Sequence, residues 1–111
     1  MNKPTSTIDA LSTCCTLINV YEVDPAKQDE LLRCLSEATE QKIRHLPGFI
    51  SVNIHRSLDG MRVVNYAQWA SKEDLDRMLN DPDARAQMGR FAALAKSVSP
   101  MLYTVSAVHT A

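Results

Sequence analysis

The sequence predicts a single α+β domain in which one antiparallel sheet carries helices on one side. Two observations predict it. Stretches rich in Val, Ile, Thr and Tyr alternate with stretches whose apolar residues recur at helical spacing, in the order strand, helix, strand, strand, helix, strand. The length, 111 residues, holds one domain and not two. A chain of this size buries roughly two thirds of its unfolded surface, so a second copy is a natural way to bury more.

Each element has its own signal. CTLINVYEV, Cys15 to Val23, reads as the first strand, with Leu17, Asn19, Tyr21 and Val23 on one face and Thr16, Ile18, Val20 and Glu22 on the other. Asp24 stands ready to cap a helix that opens with Pro25, where a missing N–H costs nothing. Leu32, Leu35, Thr39, Ile43 and Leu46 form its mostly apolar stripe, and Pro47-Gly48 stops it. Phe49 to Ser57 alternates again, Ile50, Val52 and Ile54 against Phe49, Ser51, Asn53 and His55. Leu58 to Met61, LDGM, signals a tight turn. Arg62 to Ala70 is the third strand, with Val63, Asn65, Ala67 and Trp69 on one face and Val64, Tyr66 and Gln68 on the other. Ser71 caps the next helix, and Asp74 occupies the capping-box position. Asn80-Asp81-Pro82-Asp83 interrupts it, and Ala84 to Lys96 continues with Met88, Phe91, Ala92 and Ala95 on one side. Pro100 precedes the last strand, Met101 to His109. This order is the split βαβ arrangement of the ferredoxin-like fold. Residues 1–13 read as a flexible N-terminal arm and residues 14–111 as the domain.

Composition removes several function classes. The net charge is -1, from 12 basic and 13 acidic residues, with no basic stripe and no interleaved aromatics. Nucleic acid and membrane surfaces are therefore not expected as partners. The cysteines, Cys14, Cys15 and Cys34, are odd in number and two are adjacent, a poor disulfide framework. Reduced thiols and a cytoplasmic location are expected. No CxxC, HExxH or His/Cys cluster suggests a metal. The N-terminus has no long apolar run of the kind a signal peptide or spanning helix needs.

An amide and the chain's one tryptophan share a strand face in VVNYAQW. Val64 and Tyr66, with Ile50, Val52 and Ile54, are expected to face the helices. The other side of the sheet would then present Asn19, Tyr21, Asn53, His55, Asn65 and Trp69. Such a face is too apolar for water and too polar for plain core, and a pocket resolves the conflict. The turn tests the idea. A two-residue turn at Asp59-Gly60 pairs His55 with Val64 and turns it away from Asn65. A three-residue turn, with Gly60 left-handed, pairs Asn53 with Asn65 and brings His55 to the Asn65 side. The three-residue form is the expectation.

HRSLDGMRVVNYAQWAS, His55 to Ser71, resembles the antibiotic biosynthesis monooxygenase family, including its cofactor-free anthrone oxygenases. The DG turn followed by VVNYAQW is the most specific part. The resemblance implies a dimeric α/β barrel with a pocket between each sheet and its own helices. It implies oxidation of a phenolic or anthrone-like aromatic to a quinone by O2, without cofactor or metal. It implies catalytic roles for Asn65, Trp69 and His55 and a substrate contact for Asn19; Tyr21 and Asn53, on the expected pocket face, join the substrate-binding set. A tyrosine and an arginine that certain members use in the second helical region have no counterpart; Leu75 and Met88 fall nearby. The chemistry asks little of the protein. An amide can donate to a developing oxyanion, an indole supplies a flat wall and one N–H, and an imidazole can move a proton. Two other readings stand beside this one. Haem degradation needs a ligating histidine on the helix after the tryptophan, and SKEDLDRMLNDPDARAQMGRF has none. A dimeric module that binds a small aromatic without chemistry is the second.

Overall fold

The computed structural model describes residues 4–11 and 13–111. Strand β1 (Cys15–Glu22) is followed by a 3-10 turn and helix α1 (Gln28–Gln41), then β2 (Phe49–Arg56) and β3 (Arg62–Trp69). Helices α2 (Lys72–Leu79) and α3 (Pro82–Leu94) lead to β4 (Ser97–Tyr103). The four strands form one antiparallel sheet in the order β2-β3-β1-β4. This is the ferredoxin-like fold that the element order predicted.

Local chemistry sets the helix starts. The Asp24 carboxylate accepts from Ala26 N–H at 2.9 Å, and Ser71 Oγ accepts from Asp74 N–H at 3.1 Å. Asp81 caps α3 by accepting from Ala84 N–H at 3.0 Å, with Pro82 at the first helical position. Gly48 has φ +81° and lies against the Asp74 side chain, where any Cβ would collide.

The core lies between the sheet and the helices. Leu31, Leu35 and Ala38 of α1, Leu75 and Met78 of α2, and Ala84 and Phe91 of α3 pack onto Tyr21, Val63, Ala67 and Trp69 of the sheet. The buried stripe of α1 shares Leu35 with the stripe read from the sequence but is otherwise rotated by one residue, to Leu31 and Ala38 in place of Leu32 and Thr39. Gln28 joins it and stays satisfied: its Nε2 donates to the carbonyls of Ser57 and Arg62, at 3.1 and 3.0 Å.

Three expectations are corrected. First, β4 spans Ser97–Tyr103 and includes Pro100. An edge strand has one side without ladder bonds, so a missing N–H there is tolerated. Second, the turn after β2 is not the three-residue form. Ser57 N–H donates to Arg62 carbonyl at 3.1 Å, and Leu58 to Met61 make a four-residue loop held by Asp59, which accepts from Met61 N–H at 2.9 Å. His55 pairs with Val64 and Ile54 with Asn65. Third, the faces of β1 and β3 are reversed, whereas Val52 and Ile54 of β2 face the helices as expected. Asn19, Tyr21, Val63, Asn65 and Trp69 share the helix-covered side with Val52 and Ile54, while Val64, Tyr66, Asn53 and His55 lie on the open side.

The loop sets the register of β2, whereas the reversed faces of β1 and β3 have a separate cause, the burial of Val63, Ala67 and Trp69 under the helices. Phe49 pairs with Trp69, but Ser51 pairs with Gln68, so Ile50 is an extra residue in β2. The bulge absorbs that residue at the far end of the strand, and Ser51 to Arg56 keep the register that the loop sets.

The arm, residues 1–13, includes residues 1–3 and 12, which lie outside the described residues. Its described part crosses the open face. Ser6 Oγ donates to Asn53 Oδ1 at 2.5 Å, and Gln68 Nε2 donates to Thr7 carbonyl at 3.0 Å.

Candidate active site

Asn19 and Asn65 are direct cross-strand partners on β1 and β3, both turned toward the helices. Neighbouring residues along the same face are Tyr21 and Val63 at one end, Leu17 and Ala67 at the other, then Trp69. Asn19 Nδ2 donates to the Tyr21 hydroxyl at 3.1 Å. Burial pushes the Tyr21 pKa up to about 12, so the phenol stays neutral and keeps its proton to donate.

The amide oxygens of Asn19 and Asn65 and the indole Nε1 of Trp69 are buried without a hydrogen-bond partner. Buried polar atoms of this kind are rare, because each costs about 1–3 kcal/mol when unpaired. Their concentration on one sheet face marks a place built to receive polar atoms from elsewhere.

A cavity of about 820 Å³ lies against this face, between β1, β4, α2 and α3. Asn19 and Tyr21 supply its polar part, and Leu17, Leu75, Met88 and Met101 are typical of the rest of its wall. That volume is in the range of small-molecule sites.

Of the residues the sequence singled out, the fold gathers Asn19, Tyr21, Asn65 and Trp69 on one face. Neither Asn65 nor Trp69 lines the cavity; Trp69 is fully buried, in edge-on contact with Phe49 at 5.6 Å between ring centres. His55 is exposed on the opposite face, its Nδ1–H donating to Asn53 carbonyl at 3.1 Å. Asn53 is also on that face, where its amide donates to Tyr66 carbonyl and to Ser51 Oγ. The expected convergence of His55 and Asn53 with Asn65 is therefore absent, and the register set by the four-residue loop is the reason.

The helical wall was partly missed. Leu75, Leu79, Gly89 and Ala92 line the cavity, but from sequence they read as ordinary amphipathic positions. Nothing in their spacing separates a cavity wall from a core. Other candidates for chemistry drop out. Burial, then the adjacent Cys14, pushes the Cys15 thiol pKa up, so it stays protonated. Among the described residues no group of three or more His, Cys, Asp and Glu is arranged to hold a metal ion. No helix of the described residues is long and apolar enough to cross a membrane.

Comparison with known proteins agrees with this geometry. The antibiotic biosynthesis monooxygenase family matches residues 15–90, from the start of β1 into α3. The chain belongs to that family. It is 49% identical over 77 residues to the tetracenomycin-F1 monooxygenase of Streptomyces glaucescens, covering 69% of each chain. The fold superposes with a TM-score of 0.80 on the ActVA-Orf6 monooxygenase of Streptomyces coelicolor, solved with nanaomycin D. That match is 27% identical and covers 87% of this chain and 91% of the other. SnoaB from Streptomyces nogalater, a cofactor-independent oxygenase, shares the fold at a TM-score of 0.70 and 20% identity, over 87% of this chain and 97% of its own. The chain is thus a monooxygenase.

Proposed function

We infer that this monooxygenase oxidises a phenolic, anthrone-like aromatic of the polyketide kind to a quinone with O2, using no cofactor. The observation that carries the reading is the buried, unpartnered oxygen of Asn19 in the wall of a large apolar cavity, with an equally unpartnered oxygen on its cross-strand partner Asn65. The relatives that act on aromatic polyketides support it.

The reaction needs no external reductant. Loss of a proton gives the electron-rich anion of the anthrone. One electron passes to O2, and the substrate radical and superoxide combine into a hydroperoxide at carbon. Cleavage of the O–O bond leaves one oxygen as the new carbonyl and releases the other as water, with the two hydrogens of the original methylene. The protein's part is to hold the ring, orient its oxygens and exclude bulk water. Asn65 and Asn19 grip the substrate hydroxyl or carbonyl, and an amide can turn either its oxygen or its N–H toward them. Tyr21 donates a hydrogen bond to the oxygen that gains charge. Trp69, four residues along the same face, carries a further unpartnered N–H. His55 faces away from the cavity within its own chain, so proton loss relies on the acidity of the substrate.

A second copy completes the proposed assembly as a dimeric barrel, in the cytoplasm. β4 is an exposed edge whose Val98, Met101, Leu102 and Tyr103 are apolar and uncovered. Sedimentation of the pure protein tests that part.

Turnover is tested by incubating purified, flavin-free and metal-free protein with 1,8-dihydroxyanthrone under ¹⁸O2. Quinone absorbance with one labelled oxygen in the product is expected. Absence of product across a panel of anthrones and naphthols overturns the proposal.

A further inference from the structure

We propose that Gly89 decides how long a fused-ring substrate the cavity admits: with no side chain there, the outer ring of the polycycle lies against the backbone of α3. The inference deepens the function proposed above and rests on that reading of the site.

The three glycines of the chain differ in their reasons to be glycine. Gly48 and Gly60 have φ of +81° and +82°, where a side chain would be strained. Gly89 has no such φ, and nothing crowds it. It sits inside α3, and a Cβ built on it would meet nothing within 4 Å. It is also exposed. At such a place glycine is the poorest helix former after proline, because it gives up the most backbone freedom. Neither a turn nor a close approach of neighbouring elements explains it.

What sets Gly89 apart is its place in the cavity wall. That wall changes from one end to the other. Leu75 and Tyr21 are 0 and 4% exposed, whereas Leu102 and Met101 are 42 and 60% exposed. Gly89 and Ala92, neighbours one turn apart on α3, belong to the exposed part. The helical wall thus carries its smallest residues at the open end. A ligand oxygen held at Asn19 and Tyr21 fixes the inner end of a ring system, and each further fused ring extends toward the mouth. A side chain at position 89 would take up that room. A bare backbone leaves it free and lets the flat face of a ring approach closely.

The test varies the length of the ligand and the residue at position 89. Binding is measured by quenching of Trp69 fluorescence with two non-reacting ligands that carry the same hydroxyl beside a carbonyl: the two-ring 8-hydroxy-1-tetralone and the three-ring 1,8-dihydroxyanthraquinone. Gly89→Ala and Gly89→Leu should both raise the midpoint of urea unfolding, by roughly 0.5 M for alanine, so lost binding cannot be lost folding. Gly89→Leu should weaken the three-ring ligand at least about tenfold and the two-ring ligand less than about twofold, with Gly89→Ala between parent and leucine. Ala86→Leu, exposed on the same helix but outside the cavity wall, should bind both ligands as the parent does. Unchanged three-ring affinity in Gly89→Leu, or equal weakening of both ligands, overturns the inference. So does altered sedimentation of Gly89→Leu with unaltered affinity, which gives the glycine to contact with a second copy. Length discrimination that changes at position 89, without oxidation of any anthrone by the parent, supports the role of Gly89 and overturns the oxygenase reading instead. A parent chain that binds neither ligand overturns both.

Discussion

On the open face of the sheet, Asn53, Ser51 and Gln68 bond to one another, and the arm completes the chain through Ser6 and Thr7. On the helix-covered face, Asn19 and Asn65 keep buried oxygens with no partner, and Trp69 a buried N–H. The same residue types thus do opposite work on two sides of one layer. Amides that hold the structure together have spent their hydrogen bonds, whereas amides kept for a guest have not. The open face has one exception, Thr16, whose hydroxyl lies unpartnered beside a small cavity lined by Ile8 and Tyr103.

The sharpest way to break this contrast is to replace one amide from each face. Asn65→Leu should lower turnover about a hundredfold, because it deletes a group aimed at the reacting oxygen. It should leave the fold as stable or up to about 1 kcal/mol more stable, since an unpaired buried oxygen disappears. Asn53→Leu should do the reverse, costing roughly 1–2 kcal/mol in urea unfolding while turnover changes by less than about twofold. Equal loss of activity in both variants would erase the distinction between the faces.

Tyr21 gives the next effect. Its pKa is raised by burial to about 12, above the ordinary phenol value near 10. The neutral phenol is the form that the fold favours. The stabilisation is therefore complete below about pH 10 and is lost as pH rises toward 12, by on the order of 2 kcal/mol. Denaturation curves of the parent chain should show this alkaline loss, and those of Tyr21→Phe should lack it. On the open face, Gln68→Ala should free the arm from the sheet at a cost of about 1 kcal/mol, and proteolysis within residues 4–11 should speed up. Smallest of all is His55→Ala. Its turnover should stay within about twofold of the parent, and the two pH–rate profiles should overlay.

The contrast also explains what could be read from the sequence. Element order, the helix caps at Asp24 and Ser71, and the shared face of Asn19, Tyr21, Asn65 and Trp69 all follow from local spacing. They are legible because each depends on residues close together in the chain, or on a single cross-strand register without interruption. The side of the sheet that this set occupies was misread, because apolar content alone favoured Val64 and Tyr66 for the interior. Buried Val63, Ala67 and Trp69 outweigh them once the helices are in place. The position of His55 was illegible for a different reason. LDGM does not reveal that its four residues loop out as a unit, with Gln28 holding both ends of the hairpin from the helix side.

The four-residue loop after β2 makes the chemistry of that strand a matter of counting. As the strand stands, it turns Val52 and Ile54 toward the helices and sends an imidazole and an amide outward. Removing one codon from the loop, with Ser57 drawn in to keep four residues in the turn, would slip the strand by one and exchange the two sets at a stroke. A greasy flank would become one bearing a proton acceptor, so a change of length could reach a new reactivity that no single replacement offers.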